Sequence, residues 1–161
     1  IKMNFSPFKV FSYVFFASIF LSACKSDDEV DVTSFDSSFT YDGKLYNINT
    51  SEIFWKEEFS AITAMSYQGT AIILAFNEKP SATQRYNIVK PADLSLDPNN
   101  CAITLITKKL ETIASTGAKG SIMDVEIKDD RIYYVISYAE MVDRLGDKKS
   151  LNASFNSLIS K

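Results

Sequence analysis

The chain reads as all-β, an antiparallel β-sandwich or flattened barrel preceded by a helical signal peptide and a flexible tether. Three observations lead there. Short apolar runs alternating with a period of two recur from residue 61 to the end, as half-buried strands require. Turn-forming Gly, Pro, Asn and Asp punctuate those runs at short spacing, the rhythm of a sandwich or barrel. No stretch beyond the leader sustains the 3.6-residue repeat of an amphipathic helix. The expected divisions are residues 1–23 as leader, 24–38 as tether and 39–161 as the folded domain.

The leader opens with Lys2 and Lys9 and continues as an apolar run over residues 10–21, interrupted by Ser12 and Ser18. About a dozen helical residues span roughly 18 Å, against a hydrocarbon core of about 30 Å. A signal-peptide core therefore fits better than a permanent membrane helix. The run closes on Leu21-Ser22-Ala23-Cys24. Residues 25–38 are polar, with Lys25 set against Asp27, Asp28, Glu29, Asp31 and Asp36, too acidic and too poor in apolar groups to fold on their own.

The four residues Leu21 to Cys24 resemble the lipobox of bacterial lipoproteins. That resemblance implies Leu21 at the aliphatic position, Ser22 and Ala23 at the small positions, cleavage before Cys24, and acylation of the Cys24 thiol and new amino group. The three acyl chains of that family would anchor the protein stably, since two or more chains suffice. Lys25-Ser26-Asp27-Asp28-Glu29 resembles the acidic export signal of Bacteroidota surface lipoproteins, with Ser26 standing between the lysine and the acids. It implies outer-membrane, surface-facing display, the alternative being a periplasm-facing domain.

Composition excludes several classes of function. Outside the leader and tether, acids and bases nearly balance, unlike the basic footprint of a nucleic-acid surface. The chain has two cysteines and no histidine. With Cys24 lipidated, Cys101 has no disulfide partner and reads as a small buried hydrophobe. Lack of histidine removes Ser-His-Asp and Cys-His catalysis and histidine-based zinc sites. No cofactor or metal is expected.

Along the domain, Phe39-Thr40-Tyr41-Asp42-Gly43-Lys44-Leu45-Tyr46 predicts a hairpin, because Asp-Gly accepts the positive φ angles of a type I′ turn. Residues 47–59 stay open between a short helix, capped by Asn49 and Glu52, and a strand carrying Ile53, Trp55 and Phe59. Residues 61–67 and 70–77 flank Gln68-Gly69 as a second hairpin, and the apolar run 70–76 predicts a strand covered on both faces. Residues 85–89 form a short strand ended by Pro91, 93–100 a loop, and 101–107 another strand. Residues 114–120 read as a Gly/Ser-rich turn or loop. Met123, Val125 and Ile127 then oppose Asp124, Glu126 and Lys128 on one amphipathic strand. Asp129-Asp130 turns into a strand over 132–138, and Leu151, Ala153 and Phe155 alternate in the last. This order, with Gly120-Ser121-Ile122 starting a strand, is also similar to small Bacteroidota β-sandwich lipoproteins of unassigned function.

Four clusters carry candidate chemistry. Trp55, with Phe54 and Tyr46, offers aromatic faces that could stack on a ligand. Tyr133, Tyr134 and Tyr138 form a second aromatic set, Tyr134 and Tyr138 sharing one face. Asp93, Ser95, Asp97 and Asn99 alternate like the start of a calcium loop, yet Pro98 replaces the turn glycine and Thr104 the closing glutamate. They read as an ordinary polar loop. Asp124 and Glu126 lie roughly 6.5–7 Å apart on a strand, a spacing glycoside hydrolysis tolerates, but they read as a solvated face. The chain is thus expected to be a non-enzymatic envelope module that binds a glycan or protein partner and meets the membrane through its N-terminal lipid. The alternatives are an assembly subunit of an envelope complex and a carboxylate-based hydrolase.

Overall fold

The computed structural model describes residues 37–159. The expected signal peptide, the motif Leu21 to Cys24 and residues 24–36 of the expected tether lie outside the described residues. Ser37 and Ser38, also expected in the tether, belong to the fold: Ser37 is buried with its carbonyl accepting from Ile48 N at 2.8 Å, and Ser38 opens the first strand. Ten strands account for most of the remainder: β1 (Ser38–Tyr41), β2 (Lys44–Lys56), β3 (Ala61–Ser66), β4 (Ala71–Phe76), β5 (Gln84–Val89), β6 (Asn100–Ile106), β7 (Thr112–Ser115), β8 (Ile122–Lys128), β9 (Arg131–Val142) and β10 (Lys148–Leu158). Short 3-10 turns occupy Glu57–Phe59 and Pro91–Leu96. No helix among the described residues is long and apolar enough to cross a membrane.

All ten strands belong to one sheet, ordered β10-β1-β2-β3-β4-β6-β5-β8-β9-β7, and further pairings join β10 to β9 and β6 to β7. The β9–β10 pairing returns the sheet to its first strand, so the connections form a closed circuit, a barrel filled by its own side chains. The expected all-β class holds. One pair, β5–β6, is parallel, because residues 90–99 cross over between them through the Pro91–Leu96 turn instead of forming a hairpin. That turn packs over β6 and β4. In β4, expected to be covered on both faces, Ala71, Ile72, Leu74 and Phe76 are buried while Ile73 and Ala75 are half-buried.

Local chemistry explains most elements. Asp42 and Gly43 both take positive φ, +50° and +73°, and join β1 to β2 as a type I′ turn does. The open segment 47–59 resolves as the rest of β2 followed by the 3-10 turn. Register slips between Ile48 and Ile53, so residues 49–52 bulge out, and the Asn49 carboxamide oxygen accepts from Ser51 N (3.2 Å) and Ser51 Oγ (2.7 Å). Asn49 therefore organises a bulge and not a helix cap. β7 runs two residues into the stretch 114–120 expected to be turn or loop, so the loop occupies residues 116–121.

A single apolar cluster fills the interior, and its largest fully buried members include Phe39, Phe76, Tyr134 and Phe155. Met123 and Val125 are buried while Glu126 is exposed, as alternation requires. β9 departs from its expected pattern. Ile132, Tyr134 and Ile136 point inward, but so do Ala139 and Met141, because the registers of β9 with β8 and with β10 both slip at residues 137–138. A bulge there reverses the parity. Tyr134 is consequently buried and Tyr138 is exposed, which corrects the expectation that they share a face.

Candidate functional site

A fork in the sheet shapes the most promising site. One edge of β6 pairs with β5 over residues 100–102 and with β7 over residues 104–106. The corresponding edge of β9 pairs with β8 over 131–138 and with β7 over 141–142. The β5/β8 ribbon and β7 therefore enter the same gap from opposite ends. Buried Ser115 closes the point between them: its hydroxyl donates to Val89 O and accepts from Ile103 N at 3.1 Å. Ile103 lies where β5 has stopped and β7 has not yet begun, so a side chain supplies the partner that no strand provides.

Above this staple, loop 116–121 binds to β9. Thr116 N donates to Glu140 O at 2.9 Å, and Thr116 Oγ1 donates to Glu140 Oε1 at 2.9 Å while accepting from Ala118 N at 3.2 Å. Ser121 Oγ accepts from Glu140 N at 3.3 Å. Gly117 takes φ +72°, and a Cβ there would come within 3.3 Å of Lys90 N. A side chain there would strain the backbone and require the loop or the end of β5 to shift by a few tenths of an ångström.

The result is an open groove of about 720 Å³ lined by Lys90, Pro91, Ala92, Ser115, Thr116, Ala118, Glu140, Val142 and Lys148. Pro91, Ala92, Ala118 and Val142 make its walls largely apolar. Lys148 Nζ lies 3.0 Å from Glu140 Oε1. Hydrogen bonds from Lys148 and Thr116 hold the Glu140 carboxyl below its ordinary value. Lys90 makes no ion pair among the described residues. The groove thus combines apolar walls, one matched ion pair and one unmatched ammonium, the composition of a small-molecule site.

The aromatic set on β2 is not a single surface. Tyr46 stacks on buried Phe39 (centroids 4.8 Å apart, planes 7° apart), with Lys44 Nζ 5.1 Å from its ring centre. Trp55 is half-buried against Phe76 at 6.1 Å, and Lys79 Nζ sits 5.5 Å from its ring. Phe54, next to it in sequence, is exposed on the opposite face, where Lys56 Nζ lies 5.0 Å from its ring. Trp55 and Phe54 cannot grip one ligand together.

The remaining expected clusters have structural partners. Asp124 takes a two-pronged contact from exposed Arg85, Nε to Oδ1 at 2.7 Å and Nη2 to Oδ2 at 3.1 Å. The Asp97 carboxylate accepts from Asn99 N at 2.7 Å, and Asn77 Nδ2 donates to the carbonyls of Leu94 (2.9 Å) and Asp97 (2.8 Å). These bonds pin the 91–99 crossover to the end of β4. A second cavity, of about 340 Å³, lies among the turn residues Tyr41, Asp42, Glu111, Asp143, Arg144 and Lys149, with Lys149 Nζ 3.4 Å from Asp42 Oδ2. Burial, then the nearby Asp143 and Asp42 carboxylates, raise the Tyr41 hydroxyl.

Lys90, Thr116, Glu140 and Lys148 were not distinguished by sequence reasoning. They come from four separated segments that only the fork brings together, and the sole local signal was the Gly117 to Gly120 loop. No family model, no curated protein and no solved structure matches the chain.

Proposed function

We propose that the protein is a lipid-anchored lipoprotein of the cell envelope, held in the outer membrane through acylated Cys24 and facing the cell surface. Its β-barrel is a non-enzymatic module that binds a glycan or a protein partner. Placement rests on Leu21-Ser22-Ala23-Cys24 at the end of the apolar leader. The observation that carries the binding role is the fork groove, where polar groups of unequal charge stand in apolar walls.

Binding suits the groups present better than hydrolysis does. Glycoside hydrolysis by paired carboxylates needs one acid whose pKa is raised so that it can donate a proton. Glu140 is shifted in the opposite direction by Lys148 and Thr116, and Asp124 is occupied by Arg85.

Cys24→Ala tests the anchor. Palmitate labelling and membrane fractionation of cells producing the full chain should show label and membrane association for the native sequence and neither for the variant. Membrane retention of the variant would refute the placement. Pull-down from envelope extracts with the full-length protein in detergent tests the module. Protease treatment of intact cells tests its outward display, because a protected barrel would place it on the periplasmic side.

A further inference from the structure

We propose that the fork groove recognises an acidic sugar, a hydroxyl-bearing ring with a carboxylate, through Lys90 and Glu140. This deepens the binding reading above and rests on it. Lys90 lines the groove without an ion pair among the described residues. It is exposed at the groove rim beside Pro91 and Ala92, so its ammonium is free to meet an anion that enters.

Glu140 has the opposite requirement. Its charge is already matched by Lys148, and both of its contacts, from Lys148 and from Thr116, fall on Oε1. Oε2 is therefore open to a hydrogen-bond donor and unsuited to a second cation. A ligand ammonium there would stand close to Lys148 and be repelled. A neutral hydroxyl carries no such cost. Two lysines against one glutamate leave the groove with a net positive charge on a chain whose net charge is −3. The complementary ligand is anionic and also donates neutral hydrogen bonds.

The walls agree with a sugar ring. Pro91, Ala92, Ala118 and Val142 are small and apolar, and they suit the C–H face of a pyranose. A volume of about 720 Å³ falls in the range of small-molecule sites, about 300–1,000 Å³. A peptide added as a strand would need a free sheet edge, but β7 is paired on both sides, with β6 and with β9. The lining contains no aromatic ring, so affinity depends on the Lys90 ion pair and falls as salt screens it.

Isothermal titration of the full chain in detergent with digalacturonate, the neutral disaccharide galactobiose and galactose 6-phosphate tests this. Digalacturonate should bind at least about tenfold more tightly than galactobiose and weaken as salt is added. Lys90→Met keeps the aliphatic stem and should abolish the preference for acid over neutral sugar. Glu140→Ala should weaken the neutral disaccharide and, by freeing Lys148, widen the preference for the acid. Equal binding of the two disaccharides, no binding of digalacturonate, or a preference that survives Lys90→Met would each overturn the proposal. Tighter binding of the phosphate sugar would overturn the carboxylate assignment. Loss of the sugar result with a partner still captured by pull-down would remove the ligand class and leave the binding module standing.

Discussion

Glu140 keeps its negative charge because of what touches it: the Lys148 ammonium and the Thr116 hydroxyl both stabilise the carboxylate. A depressed carboxyl contributes interaction energy above its ordinary pKa, and that contribution disappears only as pH falls through the lowered value. The Glu140 contribution should thus be intact at neutral pH and survive to below the ordinary 4.5. Carbon-13 NMR of the side-chain carboxyl should place its midpoint beneath that figure, and Lys148→Met should bring it back up. An unmoved midpoint in the variant would show that Lys148 is not the cause. Cys101 behaves in the opposite sense. Burial alone raises its thiol from 9.0 to about 12, so it stays neutral and unreactive in the folded barrel. The unfolded chain ionises near 9 and the folded chain does not, so stability is full below 9 and declines up to about 12, at most by about 1.4 kcal/mol per pH unit. Urea titrations should show this alkaline loss reduced in Cys101→Ala, and iodoacetamide at neutral pH should label the thiol only after unfolding.

The fork shows what single elements contribute. Ser115→Ala would leave the Ile103 N–H and the Val89 carbonyl without their partner in a buried seam. Each unsatisfied group costs about 1–3 kcal/mol, so a loss of about 2–6 kcal/mol is expected, with amide exchange at Ile103 accelerating first. A change under about 0.5 kcal/mol would mean that water or a backbone shift satisfies both groups. Which elements were legible in the sequence follows from how local their causes are. The Asp42-Gly43 turn and the alternation of Met123, Val125 and Ile127 depend on neighbours in the chain, and both were readable. β7 was not, because Thr112, Ile113, Ala114 and Ser115 are too few to establish a period and run straight into a Gly-containing loop. The bulge at residues 137–138 adds a residue to the strand without any change of composition, so the parity of Tyr138 was lost. The β5–β6 pairing and the groove depend on contacts between distant segments, which no local pattern encodes. The fold class was therefore open to sequence reasoning and the site was not.

At the scale of the whole molecule, the barrel is closed twice, once by backbone and once by side chains. β10 pairs with both β9 and β1, completing the circuit of strands. Inside, a chain of rings crosses the interior: Trp55 meets Phe76 at 6.1 Å, Phe76 meets Tyr134 at 6.3 Å, and Tyr134 stacks on Phe155 at 5.2 Å. Tyr134 and Phe155 face each other across the paired β9 and β10, whereas the contacts of Trp55 with Phe76 and of Phe76 with Tyr134 link β2, β4 and β9, which are not neighbours in the sheet. Neither closure can be lost locally, because opening one strand exposes both hydrogen-bonding edges and the apolar interior to water. Phe155 is fully buried at the end of the ring chain, and Phe155→Ala should cost about 3–5 kcal/mol, a large share of the roughly 5–15 kcal/mol available to a domain. Trp55 is the chain's one tryptophan and reports from the other end. Its fluorescence and the far-ultraviolet circular dichroism of the strands should shift together, to the same lower urea midpoint with an unchanged slope. If the tryptophan signal kept its native midpoint while the strand signal moved, β10 would be opening by itself, and the barrel would be two weakly coupled sheets.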